Sequence, residues 1–197
     1  MSDILRLIPK AINHRPLPQS TAIEGTTTVL LHGAMGFPGE LRKLALSLNK
    51  AKIPFIAPVY AKLGPQDLND AVAHICEAMP EGETVNVVGY SLGGLLGLLV
   101  AQQCSVQKLV GIGAPWAGEP DSQLAKALFG AVTETLQLDL NITAPDASNV
   151  VSIYSNSDRV INPKFSRRGT EVPFDGISHW RLPRHSKVVQ RVVAELS

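Results

Sequence analysis

The chain is poor in the residues that mark several specialised classes of protein. Its 197 residues include only two cysteines, Cys76 and Cys104, with 5% aromatic side chains and a formal net charge of +1. Both cysteines lie in apolar stretches of helical character, without a Cys-x-x-Cys pair or a cluster of histidines, which predicts structural thiols and no metal site. The balanced charge gives no indication of a nucleic-acid partner.

Long uninterrupted apolar runs are also missing. The N-terminal segment has Asp3 and Arg6 within its short apolar stretch, which is unlike the core of a signal peptide. The run from Leu95 to Ala101 is far too short to span a bilayer. The sequence therefore predicts no stable membrane insertion and a cytoplasmic location.

The C-terminal quarter is mildly basic, with eight Lys and Arg against four Asp and Glu between Val151 and Ser197. Such an excess would suit an anionic ligand or a membrane surface. Because the charges are scattered rather than grouped, we interpret them as a solvated face.

Short β-branched apolar runs alternate along the chain with segments of helical periodicity. This alternation is typical of a mostly parallel sheet with helices on both faces, so the predicted class is α/β. Predicted strands cover 27–31, 54–58, 85–88, 108–112, 150–154 and 172–174; predicted helices cover 41–51, 67–79, 95–103, 122–137 and 186–196. We predict one compact domain over 1–197, in which 116–149 is the only room for a small cap or lid.

One motif carries specific chemistry. The residues Gly89-Tyr90-Ser91-Leu92-Gly93 fit the pattern G-x-S-x-G, between a predicted strand and a predicted helix. In such a nucleophile elbow the serine is exposed at a tight, strained turn, and the flanking glycines avoid a collision. We predict Ser91 as the nucleophile and the amide of Leu92 as an oxyanion donor. The alternative is a glycine-rich turn of structural use only.

A second oxyanion donor is expected in the loop that follows the first predicted strand. The segment from His32 to Phe37 contains Gly33 and Gly36, which let the backbone approach a carbonyl oxygen. The amide of Ala34 is the predicted donor. His32 is expected to orient this loop, and the alternative is that His32 is the general base.

A serine hydroxyl needs a histidine to accept its proton and a carboxylate to orient that histidine. In the usual order after this elbow, nucleophile then acid then histidine, only His179 and His185 qualify as base. We favour His179, in a predicted loop, because His185 lies close to a helix N-cap. Asp158, just after a predicted strand, is favoured as acid; Asp139 and Asp146 precede that strand, and Asp175 is expected to shape the histidine loop.

These segments together resemble the α/β-hydrolase superfamily and, within it, small bacterial lipases and esterases. The resemblance runs from about Thr27 to the C-terminus: His32-Gly33 is similar to the oxyanion loop, Gly89 to Gly94 to the elbow, and Gly113 to Gly118 to a loop after the elbow. It implies the α/β-hydrolase fold and a Ser91, His179, Asp158 triad without a cofactor. Two departures, Tyr90 where many lipases have histidine and a chain too short for a large lid, favour an esterase or thioesterase over a triglyceride lipase.

The expected substrate is therefore a small acyl ester or thioester. Acyl transfer to an alcohol or amine is the rival reaction, and a binding protein without turnover is the rival outside enzymes. Apolar side chains between Trp116 and Asn149 are expected either to line an acyl pocket or to pack as an ordinary helix on the sheet; they are Trp116, Leu124, Leu128, Phe129, Val132 and Leu136.

Overall fold

A computed structural model describes residues 16–34, 36–60, 68–116 and 149–197. Within them the strands form one six-stranded sheet in the order β2-β1-β3-β4-β5-β6, and every neighbouring pair is parallel. The strands are β1 (Thr28–Leu31), β2 (Phe55–Ile56), β3 (Val85–Tyr90), β4 (Val106–Ile112), β5 (Val150–Ser155) and β6 (Thr170–Phe174). The predicted parallel α/β architecture is confirmed.

Helices cover both faces of this sheet. The α-helices of the described residues are α1 (Arg42–Ala51), α2 (Leu68–Glu77), α3 (Leu92–Val100) and α4 (Ser186–Leu196). Apolar residues of α2 and α3 pack against one face and those of α1 and α4 against the other. Since both faces of the central strands are buried, β3 and β5 are apolar nearly throughout, as expected for an interior parallel sheet.

Several boundaries differ from the predictions because glycine and proline obscure them. Helix α3 begins at Leu92, three residues before the predicted start, because the paired glycines Gly93 and Gly94 belong to its first turn. His179 was predicted in a loop, but it begins a 3₁₀ helix, His179–Arg184. Two further 3₁₀ helices, Pro38–Leu41 and Pro163–Ser166, begin at prolines, whose fixed φ suits the first turn of a helix.

The prediction of two separate structural thiols is wrong, because Cys76 and Cys104 are paired in a disulfide. Cys76 lies in the last turn of α2, and Cys104 lies in the turn after α3 rather than inside a helix. The two helices pack against the same face of the sheet, so their C-terminal ends meet and the two Cα atoms lie 6.6 Å apart. Their separation of 28 residues in sequence hides this contact.

The predicted cap or lid, 116–149, lies outside the described residues except at its two ends. The predicted helix 122–137 and the apolar residues from Leu124 to Leu136 are therefore not described either. No helix of the described ranges combines the length and apolar character needed to cross a bilayer.

Candidate active site

Ser91 lies at a strained turn between β3 and α3. Its φ of 52° and ψ of −122° are unusual for a residue with a side chain, and such strain is typical of functional turns. The flanking glycines are required by sterics: a Cβ on Gly89 would collide with the backbone of Gly93, and one on Gly93 with the carbonyls of Leu31 and His32. The strand, the turn and the helix predicted around Ser91 are therefore all present.

Three polar side chains are joined by hydrogen bonds at this turn. The Oγ atom of Ser91 lies 3.0 Å from Nε2 of His179, and Nδ1 of His179 lies 2.6 Å from Oδ2 of Asp158. Ser91 comes from the elbow, His179 from the start of its 3₁₀ helix, and Asp158 from the loop after β5. All three residues are buried, so the hydrogen bonds are little weakened by solvent.

The carboxyl group of Asp158 is held in place by the backbone of its own loop. Its Oδ1 atom accepts hydrogen bonds from the amides of Val160, at 2.8 Å, and Ile161, at 3.0 Å. The other oxygen, Oδ2, is thereby aimed at His179. A carboxylate that accepts Nδ1–H of the imidazole leaves Nε2 unprotonated and able to accept the proton of Ser91.

The loop after β1 lies beside Ser91. A small cavity at Ser91 and His179 is also lined by Gly33, Ala34, Glu40, Tyr90 and Trp180. Because α3 begins at Leu92, the amide of Leu92 belongs to the helix's first turn, where amides have no intrahelical partner. Ala34 therefore lines the cavity at Ser91, and Leu92 follows Ser91 directly in the chain.

His32 is buried beside this loop, but it has different surroundings from His179. Its ring stacks on Tyr60, with ring centres 4.1 Å apart, and the Tyr60 hydroxyl donates to the His32 carbonyl at 2.6 Å. Its Nδ1 atom lies 2.9 Å from the carbonyl of Gly33, whereas Nε2 has no hydrogen-bond partner among the residues that the structure describes. Burial lowers the pKa of His32 below 6.5, although hydrogen bonds with the backbone oppose the shift.

Tyr90 connects the elbow to His179. Its hydroxyl donates to the backbone carbonyl of His179 at 3.3 Å, and the two rings are 5.1 Å apart. Burial raises the pKa of Tyr90 well above its usual value, and the negative charges of Glu40 and Asp158 add to the shift. Tyr90 is therefore a neutral hydrogen-bond donor that helps to position His179.

The other candidates lie elsewhere. His185 precedes α4, in contact with neither Ser91 nor Asp158, and Asp175 accepts a hydrogen bond from Asn156 at an exposed turn. Asp139 and Asp146 lie outside the described residues. Trp116 is a core residue whose indole N–H donates to Ser152 at 2.8 Å, rather than part of the cavity at Ser91.

Three residues near the site were not predicted. Glu40 lines the cavity from the 3₁₀ helix before α1, Trp180 follows His179 in the chain, and Tyr60 stacks on His32. Glu40 directly precedes the predicted helix 41–51, and no motif in the sequence singles it out. Trp180 had one sequence signal, since it is directly adjacent to the favoured histidine.

Comparison with known proteins identifies the fold. No family model and no curated protein matches the chain. Among solved structures, it is similar to a meta-cleavage product hydrolase from Pseudomonas fluorescens IP01, with a TM-score of 0.67 and 18% identity over 88% of this chain and 91% of that one. A lipase-esterase related protein from Clostridium acetobutylicum gives a TM-score of 0.65 and 15% identity, covering 91% of this chain and 97% of that one.

A monoacylglycerol lipase from Paleococcus ferrophilus gives a TM-score of 0.62 and 19% identity, covering 90% of this chain and 97% of that one. At these identities the likeness concerns the fold rather than the substrate. The all-parallel sheet, the elbow between β3 and α3 and these neighbours agree, and the chain has the α/β-hydrolase fold.

Proposed function

We propose that the protein is a serine hydrolase that cleaves carboxylic esters through an acyl-enzyme intermediate. One observation carries the proposal: a continuous hydrogen-bonded chain links Oγ of Ser91, both ring nitrogens of His179 and the carboxyl group of Asp158. Hydrolase neighbours with the same fold, including a lipase and a lipase-esterase related protein, are consistent with it.

In the proposed first step, Nε2 of His179 accepts the proton of Ser91 while Oγ attacks the ester carbonyl carbon. The resulting imidazolium is stabilised by the Asp158 carboxylate at Nδ1. The amides of Ala34 and Leu92 stabilise the oxyanion of the tetrahedral intermediate. Nε2 then protonates the leaving oxygen as the bond from the carbonyl carbon to that oxygen breaks.

In the second step, water gives a proton to Nε2 of His179 and attacks the acyl-enzyme carbonyl. Collapse of the second tetrahedral intermediate returns the proton to Oγ of Ser91 and releases the acid. Each proton taken by His179 is returned within the cycle, so these steps proceed without a cofactor.

The test is hydrolysis of p-nitrophenyl esters of increasing acyl length by the wild type, Ser91→Ala and the control Ser105→Ala. Ser105 is exposed, and its hydroxyl is hydrogen-bonded to Thr84 away from the site. We expect Ser91→Ala to lower kcat/KM by about 10⁴-fold or more, while Ser105→Ala retains activity. Undiminished hydrolysis by a folded Ser91→Ala protein would refute the proposal.

A further inference from the structure

A second, open pocket adjoins the catalytic cavity. This outer pocket has a volume of about 410 Å³ and is lined by Lys43, Trp180, Arg181, Arg184, His185 and Ser186. Trp180 lines both the outer pocket and the cavity at Ser91, so the two are neighbours separated by one side chain. Its volume is in the range of sites for small molecules.

The outer pocket is positively charged. Lys43 comes from α1, whereas Arg181 and Arg184 come from the 3₁₀ helix that begins with His179. No carboxylate is among the described residues that line it, and neither arginine forms an ion pair with a described residue. By contrast, Arg167 and Arg191 each pair with a glutamate on their own segment.

The backbone adds to this potential. Helix α4, of 11 residues, begins at Ser186, so its positive end faces the outer pocket. Lys43 donates to the Ser186 hydroxyl at 2.7 Å, which fixes the ammonium group beside that helix end. The positive charge of Arg184 also acts on the inner cavity. Burial, Glu40 and Asp158 raise the pKa of Tyr90, which lines that cavity, and Arg184 opposes this shift.

We infer that the outer pocket binds an anionic group, of the phosphate class, on the leaving-group side of the substrate. The inference rests on the proposed hydrolase function, because His179 must protonate the leaving atom and Trp180, the residue that follows His179, lines both the cavity and the outer pocket. The ring of Trp180 meets that of His179 edge-on, with centres 5.4 Å apart, and bounds the path between the two spaces. The inner cavity contains Glu40, whose charge disfavours an anion there, so the acyl side is neutral.

The test compares two substrates that differ by one phosphate: the butanoyl ester of ethylene glycol, and the same ester phosphorylated on its free hydroxyl. Substrates made from longer diols vary the distance between the ester carbonyl and the phosphate, so that the phosphate can reach the outer pocket. We expect the wild type to favour the best phosphorylated ester in kcat/KM by about tenfold or more. The preference should weaken with added salt, since the pocket is open to solvent.

The variants are Arg181→Gln, which alters an exposed side chain, and Arg181→Gln combined with Arg184→Gln and Lys43→Met. Lys187→Gln is the matched control, because Lys187 is an exposed cation in the first turn of α4 that does not line the outer pocket. We expect the ratio of kcat/KM for the two esters to fall in Arg181→Gln, to approach one in the triple variant, and to stay unchanged in Lys187→Gln.

Calorimetric binding of ethylene glycol phosphate and of ethylene glycol separates this inference from the proposed function. Phosphate-dependent binding that is lost in the triple variant supports the outer pocket even if neither ester is hydrolysed. Hydrolysis of both esters without a phosphate preference, and without phosphate-dependent binding, overturns the inference while the proposed hydrolase stands. A membrane contact is the remaining alternative. The inference would be overturned in its favour if the protein bound phosphatidylglycerol vesicles but not phosphatidylcholine vesicles, if the triple variant lost this binding, and if the wild type showed no preference for the phosphorylated ester.

Discussion

His32 and His179 are both buried histidines near Ser91, but their environments differ. His179 lines the cavity at Ser91, and His32 precedes Gly33, which also lines it. Both ring nitrogens of His179 have polar partners, Ser91 on one side and Asp158 on the other. His32 stacks on Tyr60, and no described residue forms a hydrogen bond with its Nε2 atom. The comparison teaches that burial alone does not distinguish the two histidines; only the surroundings of His179 match those of a serine-activating base, with a carboxylate at one ring nitrogen and a serine hydroxyl at the other.

Among substitutions of the two histidines, replacement of His179 is expected to have the largest effect on activity. His179→Ala removes the proposed proton acceptor but keeps the backbone carbonyl to which Tyr90 donates. We expect kcat/KM for p-nitrophenyl butanoate to fall by about 10⁴-fold or more. Circular dichroism checks that the variant is folded, and activity near that of the wild type would remove His179 from the mechanism.

Asp158→Asn tests the orienting carboxylate. The asparagine carbonyl can still accept from the amides of Val160 and Ile161, so the loop should persist. Its NH₂ group would face His179 and favour the tautomer that carries a proton on Nε2, where it cannot accept from Ser91. We expect kcat to fall by about 10³- to 10⁴-fold. Asp175→Asn, at an exposed turn nearby, is the control and should remain active.

His32→Phe is the corresponding substitution at the other buried histidine. Phenylalanine preserves the stacking on Tyr60. It removes Nε2, which no described residue contacts by a hydrogen bond, and the contact of Nδ1 with the Gly33 carbonyl. We expect kcat/KM to stay within about tenfold of the wild type, because His32 transfers no proton in the proposed cycle. A loss as large as that of His179→Ala, in a folded protein, would make His32 the better candidate for the base.

The same substitution should change the pH dependence of stability. Burial lowers the pKa of His32 in the folded state below 6.5, so below that pH the unfolded chain binds more protons than the folded one. The contribution of His32 to stability is therefore present above pH 6.5 and is lost as the pH falls through its folded pKa. Urea unfolding at about pH 7.5 and about pH 5.5 should show a smaller acid loss for His32→Phe than for the wild type. Equal losses would contradict this account.

The smallest expected effect concerns the hydroxyl of Tyr60. Tyr60→Phe removes the hydrogen bond to the His32 carbonyl but keeps the ring stacking. We expect the free energy of unfolding to fall by about 1 kcal/mol and turnover to remain close to that of the wild type. Tyr154→Phe is the control: Tyr154 is equally buried, but its hydrogen bond to Glu171 at the edge of the sheet is only partly buried, so a smaller loss is expected. A loss of activity comparable to that of Asp158→Asn would show that the Tyr60 contact controls the site.

Much of the fold was predictable because its signals are local. A buried strand, a glycine-flanked serine and an apolar helix follow one another without interruption from Val85 to Val100. The same reasoning suggested Asp158 and His179, because parallel strands end at one edge of the sheet and the loops that follow them meet there. The hydrogen bonds among the three side chains are tertiary geometry, which sequence order alone does not supply.

The unpredicted features depend on contacts between distant segments. Cys76 and Cys104 meet because α2 and α3 share one face of the sheet, and no spacing rule indicates this pairing. The cationic outer pocket combines Lys43 with Arg181 and Arg184, more than a hundred positions later. In the sequence these cations looked scattered, which favoured the interpretation as a solvated face. The burial of Glu40 was likewise not evident from the sequence, because it depends on how the loop after β1 packs around this side chain.

The most direct test of the central claim is covalent labelling with a fluorophosphonate probe, followed by mass spectrometry of the labelled peptide. The account predicts one phosphonylated residue, Ser91, with no labelling of Ser91→Ala, slow labelling of His179→Ala and wild-type labelling of His32→Phe. No labelling of the wild type, or labelling that persists in Ser91→Ala, would contradict the assignment of Ser91 as an activated nucleophile.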